Sequence, residues 1–533
     1  MSDSIRLRTL PAIQPSTFQH SAEDDALSKD EDENEDYRDE FAGHDLGYTT
    51  QEETKVLQKL DRRLVSLLAL LYLMSFLDRS NIGNAKVAGM ATDLGLTSSQ
   101  FEWILRAFYI SYISFEWMTM LYRVFPAHMY IPLCVFAWGA LASLQAIVFR
   151  HGFSAMIVLR ALLGTAEAAY GPGVPFYLSF FFRRNELAFR TGLFISAAPL
   201  ASSFASSLAF AIVWLSDRTG FGIQSWRILF LAEGFPSCLV ALWAYYFGWI
   251  ADSPGTAPWL NERERTVAVL RLRQETSGET RATRSSFVQS VERPRTRLDW
   301  GKIGQTLKDP KIYITAAMFF SCNVAFSSMP VFSPIIIKDM GYSALSAQGL
   351  SAPPHLVAFV VVLVTAFLSD RFQTRSIPII VHSLMAMSGY IILALGKVLD
   401  LPNALRYLCL FPITAGFFSA VTITIVWTVN NQQSAEGRGI GVSVLNIIGQ
   451  FGPLVGVQLY PESDAPFYSS GHATCACFMA LVALLATALR FLLSRANKQS
   501  TDRARAAGYD QADQPLVGQS VSGVQKDSFQ YIL

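Results

Sequence analysis

Charge is scarce in this chain: Asp, Glu, Lys and Arg supply only 16% of the residues, against 51% apolar and 13% aromatic. A soluble protein of 533 residues could hide that much apolar surface only with difficulty, so soluble classes fall away. Cysteine is sparse as well. Cys134, Cys238, Cys322, Cys409, Cys475 and Cys477 lie mostly in apolar runs and lack metal-ligand spacing, so they read as buried thiols, with Cys475-x-Cys477 only a weak redox or metal signal. Neither a metal set nor a catalytic constellation is visible, and no metal, cofactor or enzymatic activity is expected. The first sixty residues hold no apolar core, which argues against a cleaved signal peptide and for insertion from an internal helix. The net charge of +1 averages an acidic stretch at residues 23–40 with an arginine-rich middle, and it leaves no nucleic-acid footprint.

What the chain has instead is apolar length. Twelve runs stand near 62–82, 103–122, 128–149, 155–181, 190–215, 226–249, 312–336, 351–369, 377–397, 404–428, 439–460 and 471–494. Each approaches the ~20 residues that a helix needs to cross the hydrocarbon layer, where backbone polar groups must be satisfied within the helix. The expected fold is therefore an all-α membrane protein, with twelve transmembrane helices in two six-helix bundles at 62–250 and 312–495. The intervening charged loop, 251–311, and the tails, 1–61 (acidic, disordered) and 496–533, are expected in the cytosol. Basic residues set that orientation: Arg183, Arg184, Arg190, Arg371, Arg375 and the loop from Arg263 to Lys311 share one side. Within the loop, Asn261 to Arg273 alternates charge and is expected to form a surface helix.

Six plus six with a long middle loop suggests a parallel repeat, the plan of many secondary transporters. Gly437-Arg-Gly-Ile-Gly441 is no phosphate cradle, since it lacks a preceding strand and a Walker lysine, so nucleotide-driven pumping is disfavoured. Between runs eight and nine, Leu368-Ser-Asp-Arg-Phe-Gln-Thr-Arg375 resembles the Asp-Arg loop signature of the major facilitator superfamily. The first half has only Leu121-Tyr-Arg-Val-Phe-Pro-Ala-His128 there, without the acid. Asp370 and Arg371 are candidates for a conformational latch, with ordinary loop solvation as the competing reading.

Longer stretches narrow the likeness. Leu77-Asp-Arg-Ser-Asn-Ile-Gly-Asn-Ala-Lys86, Asp93-Leu-Gly-Leu96, Arg160-Ala-Leu-Leu-Gly-Thr-Ala-Glu-Ala-Ala-Tyr-Gly-Pro-Gly173 and Trp226-Arg-Ile-Leu-Phe-Leu-Ala-Glu-Gly-Phe-Pro236 occur in that order. Gly341-Tyr-Ser343, Ser351-Ala-Pro-Pro-His355 and Asp464-Ala-Pro-Phe-Tyr-Ser-Ser-Gly-His472 follow. From about 60 to 495 the chain is similar to fungal permeases of the anion:cation symporter family, whose members carry allantoate, nicotinate, pantothenate or biotin. The resemblance implies alternating-access symport of a small organic anion with protons, by a monomer in the lipid bilayer of the plasma membrane. A uniporter or efflux antiporter of the same fold, or a nutrient sensor that does not transport, stays open.

Candidate residues follow from charge placement. Arg160 and Glu167 are seven apart, so two helical turns put them on one face, with Gly164 between them allowing a close neighbour. A mid-membrane charge costs several kcal/mol unless paired or hydrated, and it marks a functional site by default. Arginine suits a carboxylate, because its planar fork donates two parallel hydrogen bonds and stays charged. By resemblance Arg160 holds the anion and Glu167 couples protons, and loss of Arg160 is expected to abolish uptake with surface abundance intact. The competing reading is a structural ion pair between the two. Arg79 aligns with a substrate-side arginine of animal relatives, against an interfacial pair with Asp78. Arg106 stands where fungal relatives are uncharged, and is either a substrate residue or an interfacial one; Glu116 lies near the same face.

In the second half Asn323, His355, Asn430, Asn431, Asn446 and Gln450 are candidate lining, with helix-to-helix hydrogen bonding as the alternative for the amides. His355 and His382 lie where interfacial roles are commoner than titration. Phe108, Tyr109, Tyr112, Tyr170 and Phe176 offer rings for a cyclic substrate or simply pack. Gly171-Pro-Gly-Val-Pro175 is expected to bend or thin the fourth helix.

Overall fold

The computed structural model describes residues 47–123, 125–149, 152–219, 222–275, 304, 306–432, 435–506 and 531–533. The acidic stretch at 23–40, and with it the expectation of disorder there, lies outside the described residues. Among the described residues the chain is all helical, and twelve helical spans run as two sets of six. The first set is Ser66–Val87, Ser98–Phe115, Ala127–Leu144, Phe153–Ala168, Arg184–Thr219 and Ser225–Tyr246. The second is Pro310–Asp339, Ala344–Arg371, Ser376–Ala394, Leu410–Asn430, Ala435–Gly449 and Ser469–Ala506.

Local sequence explains where they start. Thr97 and Gln100 form a reciprocal capping box at the head of span two, Asp309 caps span seven with Pro310 in its first turn, and Ser343 caps span eight. Nine described helices are long and apolar enough to cross a membrane. Spans one and two fall short because they carry Asp78, Arg79 and Lys86, and Glu102 and Arg106. Span eleven falls short because it breaks into Ala435–Gly449 and Gly452–Gly456. Burial sorts the rest: 94% of the apolar window of span seven is buried, against 33% for span nine, so seven is central and nine peripheral.

Residues 47–61, expected to belong to a disordered tail, form an ordered helix instead. Thr49 caps Thr50–Leu60 with a reciprocal Glu52 bond, and a π-helical turn, Asp61–Val65, carries it straight into span one. An ionic collar binds it to the surface helix Glu262–Glu275, which forms as expected. Arg263 pairs with Glu52 at 2.9 Å, Arg183 with Glu53 at 2.8 Å and Arg190 with Asp61 at 2.6 Å. Arg271 is fully buried there, reaching Glu53, Glu186 and the Phe181 carbonyl. The hydrogen bond from Arg263 pulls the Glu52 carboxyl down to about 2.

At the end opposite this collar, span one packs directly on span seven. A Cβ on Gly83 of span one would lie 2.1 Å from the Val331 carbonyl oxygen of span seven, so only glycine permits that approach. Beside it Lys86 pairs with Glu462 at 2.8 Å, and Ser98 donates to the same carboxylate at 2.5 Å. Among the described residues this is the ion pair that joins the bundles. Replacing Gly83 with Ala is expected to hold this end apart, and a cysteine placed nearby should then react faster with an impermeant thiol reagent.

Hydrogen bonds from Lys86 and Ser98 hold the Glu462 carboxyl below its ordinary value. A depressed acid contributes its stabilisation above the free-chain pKa and loses it as pH falls through the lowered one. Accessibility at this end should thus stay flat across mildly acidic pH, and rise only below the ordinary glutamate range. The exposed pair contributes no more than about 1 kcal/mol, so Glu462→Gln is expected to shift the balance only a few-fold.

Candidate functional site

Span one carries the site on one face. Ser75 and Arg79 are four residues apart and both meet Glu167 of span four: Ser75 Oγ donates to Oε2 at 2.9 Å and Arg79 Nη2 at 3.0 Å. Glu167 is fully buried, and its other oxygen, Oε1, has no hydrogen-bond partner among the described residues. The Arg79 guanidinium sits over three rings, 4.8 Å from Tyr112, 5.2 Å from Phe108 and 5.9 Å from Phe76. Aromatic faces attract a cation without neutralising it, so the rings hold the guanidinium in place while Glu167 supplies its counter-charge.

That guanidinium lines a cavity of about 60 Å³ between the two sets of spans. From the first set come Tyr72, Phe76, Ser80, Tyr109 and Tyr112, and from the second Asn323, Ser327, Asn446 and Gln450. One strong cation, several hydroxyls and amides, and rings on the flanks make a room suited to a small anion with an apolar body. Gly171, Pro172 and Pro175 line it too, because span four ends at Ala168 and resumes at Gly173–Leu178. The bend expected from the glycine and proline run is therefore present.

Arg160 lies behind this room. It is 1% exposed, donates to the Asp78 carbonyl at 3.4 Å, lies 5.7 Å over the Phe230 ring and is absent from the cavity wall. Asp78 and Glu233 are buried beside it, and their charges act on it together with that of Glu167. Ser237 reaches Asp78 at 3.4 Å, while both Glu233 oxygens lack a hydrogen-bond partner among the described residues.

The Major Facilitator Superfamily model matches residues 68–457. The MFS transporter prlL of a fungal species (strain NRRL 50135) is 31% identical over 454 residues, covering 83% of this chain and 87% of its own. The chain belongs to the Major Facilitator Superfamily. It is a membrane transporter and not an enzyme. The major facilitator-type transporter hxnP of Emericella nidulans is 29% identical, with 86% of this chain and 89% of the relative covered. Among solved structures, the proton:xylose symporter XylE bound to 6-bromo-6-deoxy-D-glucose superposes with a TM-score of 0.61 at 15% identity. That match covers 80% of this chain and 95% of XylE, and at such identity it speaks for the fold.

Within this facilitator the expected residues divide. Arg79, Asn323 and Asn446 share the cavity, with Gln450 one turn beyond Asn446; Asn323 also donates to the Gly449 carbonyl at 3.1 Å. Arg106 does not line it, because Glu102, one helical turn earlier, holds it at 2.7 Å and Trp103 lies 5.1 Å beneath. The face shared by Arg160 and Glu167 is real, but the ion pair falls to Arg79 and Glu167. Tyr170 turns away to the Leu68 carbonyl at 2.7 Å. His355 binds the Ser351 carbonyl and His382 binds Thr365, each at 2.8 Å, both off the cavity. Asp370 pairs with Arg375 at 2.5 Å, whereas Arg371 points to the exposed side. Sequence reasoning passed over Ser75 and Glu233. Ser75 could have been found from its four-residue spacing to Arg79, and Glu233 from its charge within an apolar run.

Because Arg160 is buried among acids, its removal strands several carboxylates, which costs about 3–5 kcal/mol for a broken buried pair. Arg160→Ala is accordingly expected to lower surface abundance as well as uptake, as quantitative surface labelling would measure.

Proposed function

We propose that this transporter is a proton-coupled symporter of a small organic anion, of the anion:cation symporter kind, working as a monomer. Its cargo is a carboxylate vitamin or nitrogen compound such as nicotinate, allantoate or pantothenate. The observation that carries the reading is the cavity-facing Arg79 guanidinium, held by the buried Glu167 carboxylate. An incoming carboxylate competes with Glu167 for the same fork. A proton on Glu167 releases the fork to the substrate, so cargo and proton load together.

Charge balance points the same way. Two guanidinium groups, the part-buried Arg79 and the buried Arg160, sit among three buried carboxyls, Asp78, Glu167 and Glu233. With all three ionised the set is negative, so neutrality in a low-dielectric site calls for one proton, and for another once an anion enters. Asn323, Asn446 and Gln450 hydrogen-bond the polar rim of the cargo, while Tyr109 and Tyr112 flank its ring. Arg160 adds positive potential from behind, Arg106 lies outside the wall, and Asp370 with Arg375, beside Arg371, latches the opposite bundle. The collar and both described chain ends face the cytosol of a plasma-membrane carrier, a reading that the basic residues support. On that reading the end where Gly83 meets Val331 and Lys86 meets Glu462 faces outward.

Uptake of labelled nicotinate by yeast lacking its own permease tests this. Free carboxylic acids are expected to compete while their amides do not, and a proton uncoupler should remove accumulation above equilibrium. Equal competition by amides sinks the anion assignment, and accumulation that ignores the uncoupler sinks the coupling.

A further inference from the structure

A cleft at the collar-side end of the second bundle is occupied by the chain itself. Tyr531, Ile532 and Leu533 lie against the collar-side end of the second bundle. Asn497, on the extension of span twelve, accepts from Tyr531 N and donates to Tyr531 O, both at 2.9 Å. Asn431, at the end of span ten, accepts from Ile532 N at 2.9 Å and donates to Ile532 O at 3.1 Å. Trp427 Nε1 adds a bond to Ile532 O at 2.7 Å, and the Arg375 main-chain N–H donates to Leu533 O at 2.6 Å. Two carboxamides thus each pair with both main-chain groups of one residue, and they do so for two consecutive residues.

Side chains add selectivity. Lys311, in the first turn of span seven, donates to the Tyr531 hydroxyl at 2.8 Å and sits 4.0 Å over its ring. Tyr531 and Leu533 both pack on the hydrophobic core. The site therefore reads main-chain groups in its middle and an aromatic residue at one end.

We propose that this cleft is a peptide-binding site for which residues 531–533 are the resident ligand, and that docking staples spans seven, ten and twelve to the loop between eight and nine. The connection to transport is Arg375. Its backbone holds Leu533 while its guanidinium holds Asp370 at 2.5 Å and Ser369 Oγ at 2.7 Å. Docking and the Asp370 pairing thus share one residue, so leaving the cleft loosens the loop. Several main-chain hydrogen bonds made together hold a short segment docked.

Hydrogen–deuterium exchange on the full-length protein tests the staple from both partners. The amides of Ile532, Arg375 and Ser376 are expected to exchange at least about ten-fold slower than in a free chain, the mark of a docked segment. Ile532→Pro removes the N–H that Asn431 accepts and leaves the bundle sequence untouched. It should release protection at Arg375 and Ser376 together. Asn497→Ala combined with Lys311→Ala should do the same from the receptor side, at an unchanged melting temperature. Free-chain exchange at Ile532 in the unaltered protein overturns the proposal, as does protection at Arg375 that survives Ile532→Pro.

Discussion

Arg79→Ala is expected to depress uptake by about thirty-fold to a few thousand-fold, since truncating one partner of a desolvated charge pair costs about 2–5 kcal/mol and each 1.4 kcal/mol is ten-fold. Two losses combine. The proposed anion loses the one cation that lines the cavity among the described residues, and Glu167 loses its ionic partner in a fully buried position. Because a stranded carboxylate also threatens folding, Arg79→Lys is the informative companion. Lysine keeps the charge but not the planar fork that serves Glu167, Tyr112 and a carboxylate in turn. It should restore abundance and only a fraction of transport. Uptake normalised to surface-labelled protein measures both, and an alanine variant that transports normally removes Arg79 from the site.

The contrast between Arg79 and Arg160 shows what was legible in the chain. Hydropathy located the twelve spans, and the glycine and proline run at 171–175 announced the break in span four, because both depend on local composition. Helical spacing also put Arg160 and Glu167 on one face correctly. Spacing within one helix says nothing of which neighbour supplies the partner. The pairing of Glu167 with Arg79 and Ser75 depends on how span one packs against span four. Arg160 met Asp78 and Glu233 for the same reason. Arg106 was misleading because a partner one turn away, Glu102, satisfies it locally, and an i to i+4 pair looks the same in sequence whether or not a cavity lies nearby. The docked Tyr531-Ile532-Leu533 segment left no signal at all: its recognition is by main chain, and main chain is common to every residue.

Glu167→Gln should separate binding from coupling. On the proposed mechanism, an ionised Glu167 competes with the anion for Arg79 and a protonated one does not, so affinity should fall as pH rises through the titration of this carboxyl. The glutamine is nearly isosteric, still accepts from Ser75 and Arg79, and imitates the protonated acid at every pH. Anion affinity should then lose its pH dependence. Exchange of internal for external substrate moves no net proton and is expected to persist, whereas uphill accumulation driven by a pH gradient should fall to the equilibrium level. Counterflow and gradient-driven uptake, measured side by side in proteoliposomes, read the two quantities separately. If gradient-driven accumulation survives in this variant, the coupling proton must reside on another of the buried acids, with Asp78 and Glu233 next in line because both share the field of Arg160.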